Sequence, residues 1–317
     1  MTAPTVRSLL LLLLASGAGC GEYLPATQVL TTSAVTTNGA MTPLPRLSAE
    51  LCQRRAELDL MQSRLDGTAK WGSDPRWSRW FDDRPSSADD KTTWAQWCQR
   101  FTAHDQLMGV SVQVLTNYVS LLQATLQTGT YSANAIRDSA NAIGRGLAPV
   151  PNEGALLAQA GTLGDPLTRM VDYILKWTSE RRFKQTVTDG DALVAALVAA
   201  QKRYLGALDD QARVAQRELG QIGDIIDRRS EGAAPLAAAS LFSWQTESAR
   251  SLRLTRDRIA TWSRMLDALA AGHHALADAI KASKKDRKQK LNVSIFESTK
   301  AQLEVNWLHE TIAQGGP

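Results

Sequence analysis

Two long stripes of apolar residues constrain the fold of this chain more than any other feature. The first covers 33 residues in nine steps and runs through Leu193, Leu197, Ala200, Tyr204, Leu208, Ala212, Ala215, Leu219, Ile222 and Ile226. A step of about 3.67 residues keeps a stripe on one face of a nearly straight helix. The second covers 28 residues in eight steps, two of which lie between Leu252 and Ile259, and a step of 3.5 residues is typical of a coiled-coil seam. It runs through Leu252, Ile259, Trp262, Leu266, Leu269, His273, Leu276 and Ile280.

Only a short break containing the sequence SEGAAP separates the two helices that carry these stripes, which predicts a helical hairpin. Weaker helical patterns begin at LSAELCQRRAELDL and at GDPLTRM, and another runs from about Thr92 to Gln127. The last pattern, from about Leu291 to Ile312, fits either a separate helix or an extension of the preceding one. The expected fold class is all-α, an elongated antiparallel bundle of long helices formed by residues 47–317.

The N terminus carries a short apolar run of six leucines, residues 9–14, which follows Arg7. This run is far shorter than the ~20 residues that a helix needs to cross a membrane. A basic residue, a short apolar run and then small residues are the pattern of a secretory signal peptide. We therefore expect the chain to be exported.

The apolar run leads into the sequence SGAGC, which resembles the lipobox of bacterial lipoproteins. The resemblance implies that residues 1–19 are a signal peptide, and that Cys20 is acylated and becomes the first mature residue. It also implies a cell-envelope protein held on the outer membrane, because Gly21 replaces the aspartate that favours inner-membrane retention. The alternative is ordinary signal peptidase cleavage after Ala18. Residues 20–46, rich in Thr, Ala and Pro and without helical periodicity, are expected to be a lipidated N terminus and flexible tether.

If Cys20 is acylated, only Cys52 and Cys98 remain as free cysteines. In an oxidising compartment two such cysteines most simply form a disulfide with each other. The alternative is two separate buried thiols, because spacing in the sequence does not prove proximity.

Five of the nine tryptophans fall within residues 71–97, among several aspartates. Aromatic faces beside carboxylates are suited to binding sugar rings, so the candidate ligand or partner contacts are Trp77, Trp80, Asp82 and Asp83. The alternative is that the rings pack in the fold. We expect packing for Trp94 and Trp97, which lie three residues apart beside Cys98 on a predicted helix.

A basic run, KASKKDRKQK at residues 281–290, carries six basic side chains against one acidic one. Lys284, Lys285, Arg287 and Lys288 are candidate contacts to an anionic surface, and a solvated helix face is the alternative. The net charge of +4 is too small to indicate a nucleic-acid partner.

No enzyme, metal site or cofactor is predicted, because the sequence contains no HExxH motif, nucleophile elbow or phosphate-binding loop. His273 is expected to be a hydrogen-bonded residue of the helix seam. The sequence therefore predicts a non-catalytic, membrane-anchored envelope lipoprotein that acts as a helical scaffold or protein-binding module, with an envelope protein as partner. The alternative function is a cell-wall glycan binder or hydrolase that uses residues 71–97 on peptidoglycan.

Overall fold

A computed structural model describes residues 21–66, 81–82, 85–87, 90–127, 163–176, 183–230 and 235–315. The helices of these ranges are α1 (Leu24–Met41), α2 (Leu44–Leu65), α3 (Trp94–Gln127), α4 (Gly164–Lys176), α5 (Phe183–Ser230), α6 (Pro235–Lys281) and α7 (Lys284–Gly315), and a short 3-10 turn, Gly21–Tyr23, precedes α1. The fold is an all-α bundle, as predicted. A two-stranded antiparallel hairpin, Pro85–Ser87 with Asp90–Thr93, was not predicted, because such short strands carry no readable alternation.

The predicted hairpin is formed by α5 and α6, which contain 48 and 47 residues. At 1.5 Å per residue each is roughly 70 Å long, which makes the bundle elongated. The first apolar stripe is buried from Leu197 to Ile226, and the second is buried from Leu252 to Leu276. Towards one end of the hairpin α2 packs against it, and the larger core at the other end also takes residues from α1, α3, α4 and α7.

The prediction of a flexible tether over residues 20–46 is wrong for the part that the structure describes. Residues Leu24–Met41 form α1, and α2 begins at Leu44. The buried face of α1 consists mainly of small or hydroxylated residues, which a search for large apolar residues does not register: Ala26, Thr27, Val29, Leu30, Ser33, Ala34, Thr37 and Met41. Its threonines are compatible with a helix because their hydroxyls donate to carbonyls one turn back, as Thr27 does to Tyr23.

The last helix, α7, is separate from α6, because the chain reverses at Ala282 and Ser283. The hydroxyl of Ser283 accepts a hydrogen bond from the backbone N–H of Asp286, which satisfies one donor at the start of α7. Further along, the backbone carbonyl of Gly272 accepts a hydrogen bond from Ser294. A Cβ at Gly272 would collide with the hydroxyl of Ser298, so the absence of a side chain allows α6 and α7 to approach closely.

A disulfide joins Cys52 on α2 to Cys98 on α3, as predicted. The Cα atoms of the two residues are 5.6 Å apart, and the two residues are 46 positions apart in the sequence. In the chain-entropy account, closing a loop of this length disfavours the unfolded state by about 4 kcal/mol. The bond therefore ties the middle of α2 to the start of α3.

Candidate functional site

Several of the predicted site residues lie outside the described residues, namely Cys20, Trp77, Trp80 and Asp83. Asp82 is described and exposed. Trp94 and Trp97, the two tryptophans of residues 71–97 that the structure describes, pack in the fold as predicted. Trp94 is buried, its indole N–H donates to Asp59 over 3.1 Å, and its ring meets the half-buried Trp97 ring edge to face at 5.4 Å.

The predicted anionic-surface residues lie at the turn between α6 and α7. Lys284, Lys285 and Lys288 are exposed. Arg287 differs from them, because its guanidinium turns inward and pairs with the Glu22 carboxylate at 2.7 Å. Its side chain is only 21% exposed. The lysines are therefore available to a ligand, whereas Arg287 is a structural contact between this turn and the start of the described chain.

The start of the described chain is fixed to this same end of the bundle. Tyr23 is completely buried, and its ring lies 5.7 Å from the Phe183 ring at the beginning of α5. The cations of Lys184 and Arg287 lie 5.5 and 5.8 Å from the centre of the Tyr23 ring. Four parts of the chain thus meet here: the turn before α1, the start of α5, the end of α6 and the start of α7.

A second surface feature lies along α7. On the side of α7 that faces away from the core, four large apolar side chains are exposed: Val293, Phe296, Leu303 and Trp307. Phe296 is 63% exposed and Leu303 is 59% exposed. With Lys300 between them, these positions recur by threes and fours and form one face of the helix, here called the α7 stripe. The opposite side of α7 is buried in the core through Leu291, Ala301, Val305 and Leu308. The α7 helix is therefore apolar on two sides.

Charged groups border the α7 stripe without covering it. The Lys300 ammonium lies 4.8 Å from the centre of the Phe296 ring and pairs with Glu297, and the Arg264 guanidinium lies 5.4 Å from the Trp307 ring and pairs with Glu304. Beside Leu303 a groove of about 350 Å³ runs between α6 and α7. The sequence predicted a helix from about Leu291 to Ile312 but did not predict that Leu303 and Trp307 face solvent.

The histidine pair on α6 belongs to a network around Asp191 of α5. His273 is buried, and its ring nitrogens contact the Tyr118 hydroxyl and an Asp191 oxygen, each at 3.1 Å. The exposed His274 contacts the other Asp191 oxygen at 2.7 Å. Burial raises the pKa of Asp191, but the two histidines outweigh this effect and lower it to about 2. His273 is thus a hydrogen-bonded seam residue, as predicted, and the network links α3, α5 and α6.

A buried carboxyl, Asp105 on α3, forms a second network that the sequence did not suggest. It accepts hydrogen bonds from the hydroxyls of Ser48 on α2 and Tyr204 on α5. Burial raises the pKa of Asp105 to about 7, although both hydrogen bonds oppose this rise. The side chain borders a cavity of about 280 Å³ but has no exposed surface of its own.

Within the described ranges no three or more His, Cys, Asp or Glu residues are grouped so that they could hold a metal ion. In the same part of the chain no helix is long and apolar enough to cross a membrane. No protein-family model, no curated protein and no solved structure matches this chain.

We expect the stability of the protein to fall between about pH 4 and pH 7 because of Asp105. The unfolded state ionises Asp105 near pH 3.8, whereas the folded state keeps the proton up to about pH 7. Over these roughly three pH units the free energy of unfolding should drop by up to about 4 kcal/mol. Urea unfolding measured at intervals from pH 4.5 to 7.5 tests this.

The Asp105→Asn variant should lose most of this slope, because it carries no ionisable group at that position. The exposed Asp267→Asn variant is the matched control and should keep the slope, because it leaves Asp105 in place. A wild-type stability that is flat or rising with pH over this range would contradict the burial of a protonated Asp105.

Proposed function

We propose that this chain is a lipid-anchored protein of the bacterial cell envelope that binds another protein along the α7 stripe and performs no catalysis. The observation that carries the proposal is the exposed face formed by Val293, Phe296, Leu303 and Trp307 on a helix whose other side is already buried. Large apolar side chains gathered on one exposed face are typical of a binding surface, whereas single ones are ordinary.

The spacing of the α7 stripe favours a helix as the bound element. An amphipathic helix binds a partner through apolar side chains that recur by threes and fours. The groove beside Leu303 can accommodate side chains of such a helix. The edges of this surface carry charges of both signs, from Lys300, Arg264, Glu297 and Glu304. We therefore propose an envelope protein with an amphipathic helix as the partner.

The proposal of no catalysis is supported by the positions of the titratable groups. His273 and Asp105 are buried, and their hydrogen-bonding atoms are used by Tyr118, Asp191, Ser48 and Tyr204. A general acid or base must reach its substrate within hydrogen-bond distance, which these two groups cannot do from inside the core. Their arrangement supports a structural role in joining helices.

The alternative of a glycan binder that uses residues 71–97 is not favoured by Trp94 and Trp97, the two described tryptophans of that segment. Trp94 and Trp97 are engaged with Asp59, with each other and with the guanidinium of Arg55, which lies 5.6 and 5.5 Å from their ring centres. A stacking platform for sugar rings needs open ring faces. Lipid anchoring is supported by the sequence SGAGC alone.

We expect Cys20→Ser to release the protein from membranes washed in 1 M NaCl, because no acyl chain would be attached and the salt screens charge attraction. Fractionation of cells followed by immunoblotting measures this. The Cys52→Ser/Cys98→Ser double variant is the control, since it removes the disulfide but leaves Cys20, and it should stay in the pellet. A Cys20→Ser protein that remains in the washed pellet would refute lipid anchoring.

The partner surface is tested by photocrosslinking in cells from a benzophenone amino acid at Leu303. We expect one discrete product with a different envelope protein, and we expect a second substitution, Phe296→Glu, to abolish it. Phe296→Glu should leave the melting temperature nearly unchanged, because the side chain is exposed.

The matched control places the same benzophenone at Phe242, which is 65% exposed on α6 and lies outside the α7 stripe. It should not give this product. A product of twice the mass of the chain would mean that the α7 stripe binds a second copy, and would overturn the proposed partner. Equal crosslinking from Leu303 and Phe242 would overturn the surface itself.

A further inference from the structure

Two features that are far apart in the sequence meet at one end of the bundle. The first is the start of the described chain, where Glu22 pairs with Arg287 at 2.7 Å and Tyr23 is buried. The second is the reversal between α6 and α7, after which the first turns of α7 carry most of the basic run. We name this region the basic end and define it by its exposed lysines, Lys184, Lys281, Lys284, Lys285 and Lys288.

The position of Gly21 determines where a lipid on Cys20 would be attached. Gly21 follows Cys20 directly, and consecutive Cα atoms are about 3.8 Å apart. Gly21 belongs to the turn that places Glu22 against Arg287 and Tyr23 in the core. An acyl chain on Cys20 would therefore start beside the basic end, with no long linker between the lipid and the folded bundle.

The lysines of the basic end are not neutralised by their neighbours. Of the nearby carboxylates, Glu22 pairs with Arg287 and Asp278 pairs with Lys290. Asp286 accepts a hydrogen bond from the neutral hydroxyl of Ser283, so its charge offsets one of the five lysine charges. Among the described residues Lys281, Lys284, Lys285 and Lys288 have no carboxylate partner. Like charges this close repel one another, so an anionic surface across from them would be stabilising.

We propose that the basic end is a membrane-facing surface that binds anionic phospholipid headgroups, so that the acyl chain and the lysines hold the same end of the bundle against the bilayer. This inference rests on the proposed acylation of Cys20. The position of Gly21 favours a bilayer over an acidic protein, because the lipid would bring the lysines to the headgroups. One acyl signal beside a basic patch is a known way to strengthen membrane binding.

The proposal also places the α7 stripe relative to the membrane. The α7 helix begins at Lys284 in the basic end, and each helical residue advances 1.5 Å. Along this helix the α7 stripe, from Val293 to Trp307, lies about 14 to 35 Å from the basic end. The partner surface would thus begin close to the headgroups and extend away from them.

The contribution of the lysines to membrane binding is tested with the full-length Cys20→Ser variant. This variant carries no acyl chain, so its binding reports the charges alone. We expect it to bind vesicles of phosphatidylcholine with about 30% phosphatidylglycerol at 0.05 M NaCl, and not vesicles of phosphatidylcholine alone. Each lysine near such a surface contributes roughly fivefold in affinity. The Lys284→Glu/Lys285→Glu/Lys288→Glu variant should therefore bind at least a hundredfold more weakly in a flotation assay.

The matched control reverses three exposed arginines towards the other end of the hairpin, Arg217, Arg228 and Arg253. It changes the net charge by the same amount and should keep most of the affinity. Circular dichroism of both triple variants checks that they are folded.

The orientation is tested with the acylated protein reconstituted in the same anionic vesicles. A fluorophore on Gln289→Cys at the basic end should be quenched by headgroup-labelled lipids, and one on Ser243→Cys, near the start of α6, should not. Both positions are exposed, and neither substitution removes a charge.

The membrane-facing surface would be overturned if the lysine variant bound the anionic vesicles as tightly as its Cys20→Ser parent. Equal quenching at the two labelled positions would also overturn it. Either result would count even if Cys20→Ser releases the protein from membranes. A Cys20→Ser protein that stays in the salt-washed membrane pellet, but binds vesicles through the lysines, would instead overturn acylation alone. The two proposals can therefore fail separately.

Discussion

The packing of α5 against α6 is the interaction on which the rest of the structure depends. Each fully buried leucine or isoleucine along these helices contributes roughly 1.5–3 kcal/mol by leaving water. Because the hairpin is long, α2 packs against both of its parts, whereas α1, α3, α4 and α7 pack only in the larger core. The polar contacts of Asp191 and Asp105 fall within this packing, where they join neighbouring helices without opening the core.

The sequence predicted the hairpin well because leucines, isoleucines and alanines recur on α5 at the helical period. It failed at α1 because that helix buries Thr27, Ser33 and Thr37, and such small or hydroxylated residues are usually counted as polar. It also missed Asp105, since the approach of Ser48 and Tyr204 depends on how three helices pack. On α7 the pattern identified a helix, but apolar residues on two sides prevented a prediction of which side faces solvent.

The folding of α1 into the bundle changes how membrane attachment must be understood. A flexible tether would let the body stand away from the membrane in any orientation. With Tyr23 buried and Glu22 bound to Arg287, a lipid on Cys20 would instead hold one end of the bundle, where the lysines are gathered. The α7 stripe begins close to that end, so the proposed lipid attachment and the proposed partner surface would lie along the same helix.

The packing of α1 into the bundle is tested most directly by hydrogen exchange of its backbone amides in the full chain. The indole N–H of Trp262 donates to the Ala40 carbonyl over 3.0 Å, and Ala26, Leu30 and Ala34 are buried in the main core. We predict that amides in the middle of α1 are protected from exchange to a degree comparable with those of α6. If the α1 amides instead exchange at the rate of an unstructured peptide, α1 is not packed in the bundle, and the prediction of a flexible tether would be correct.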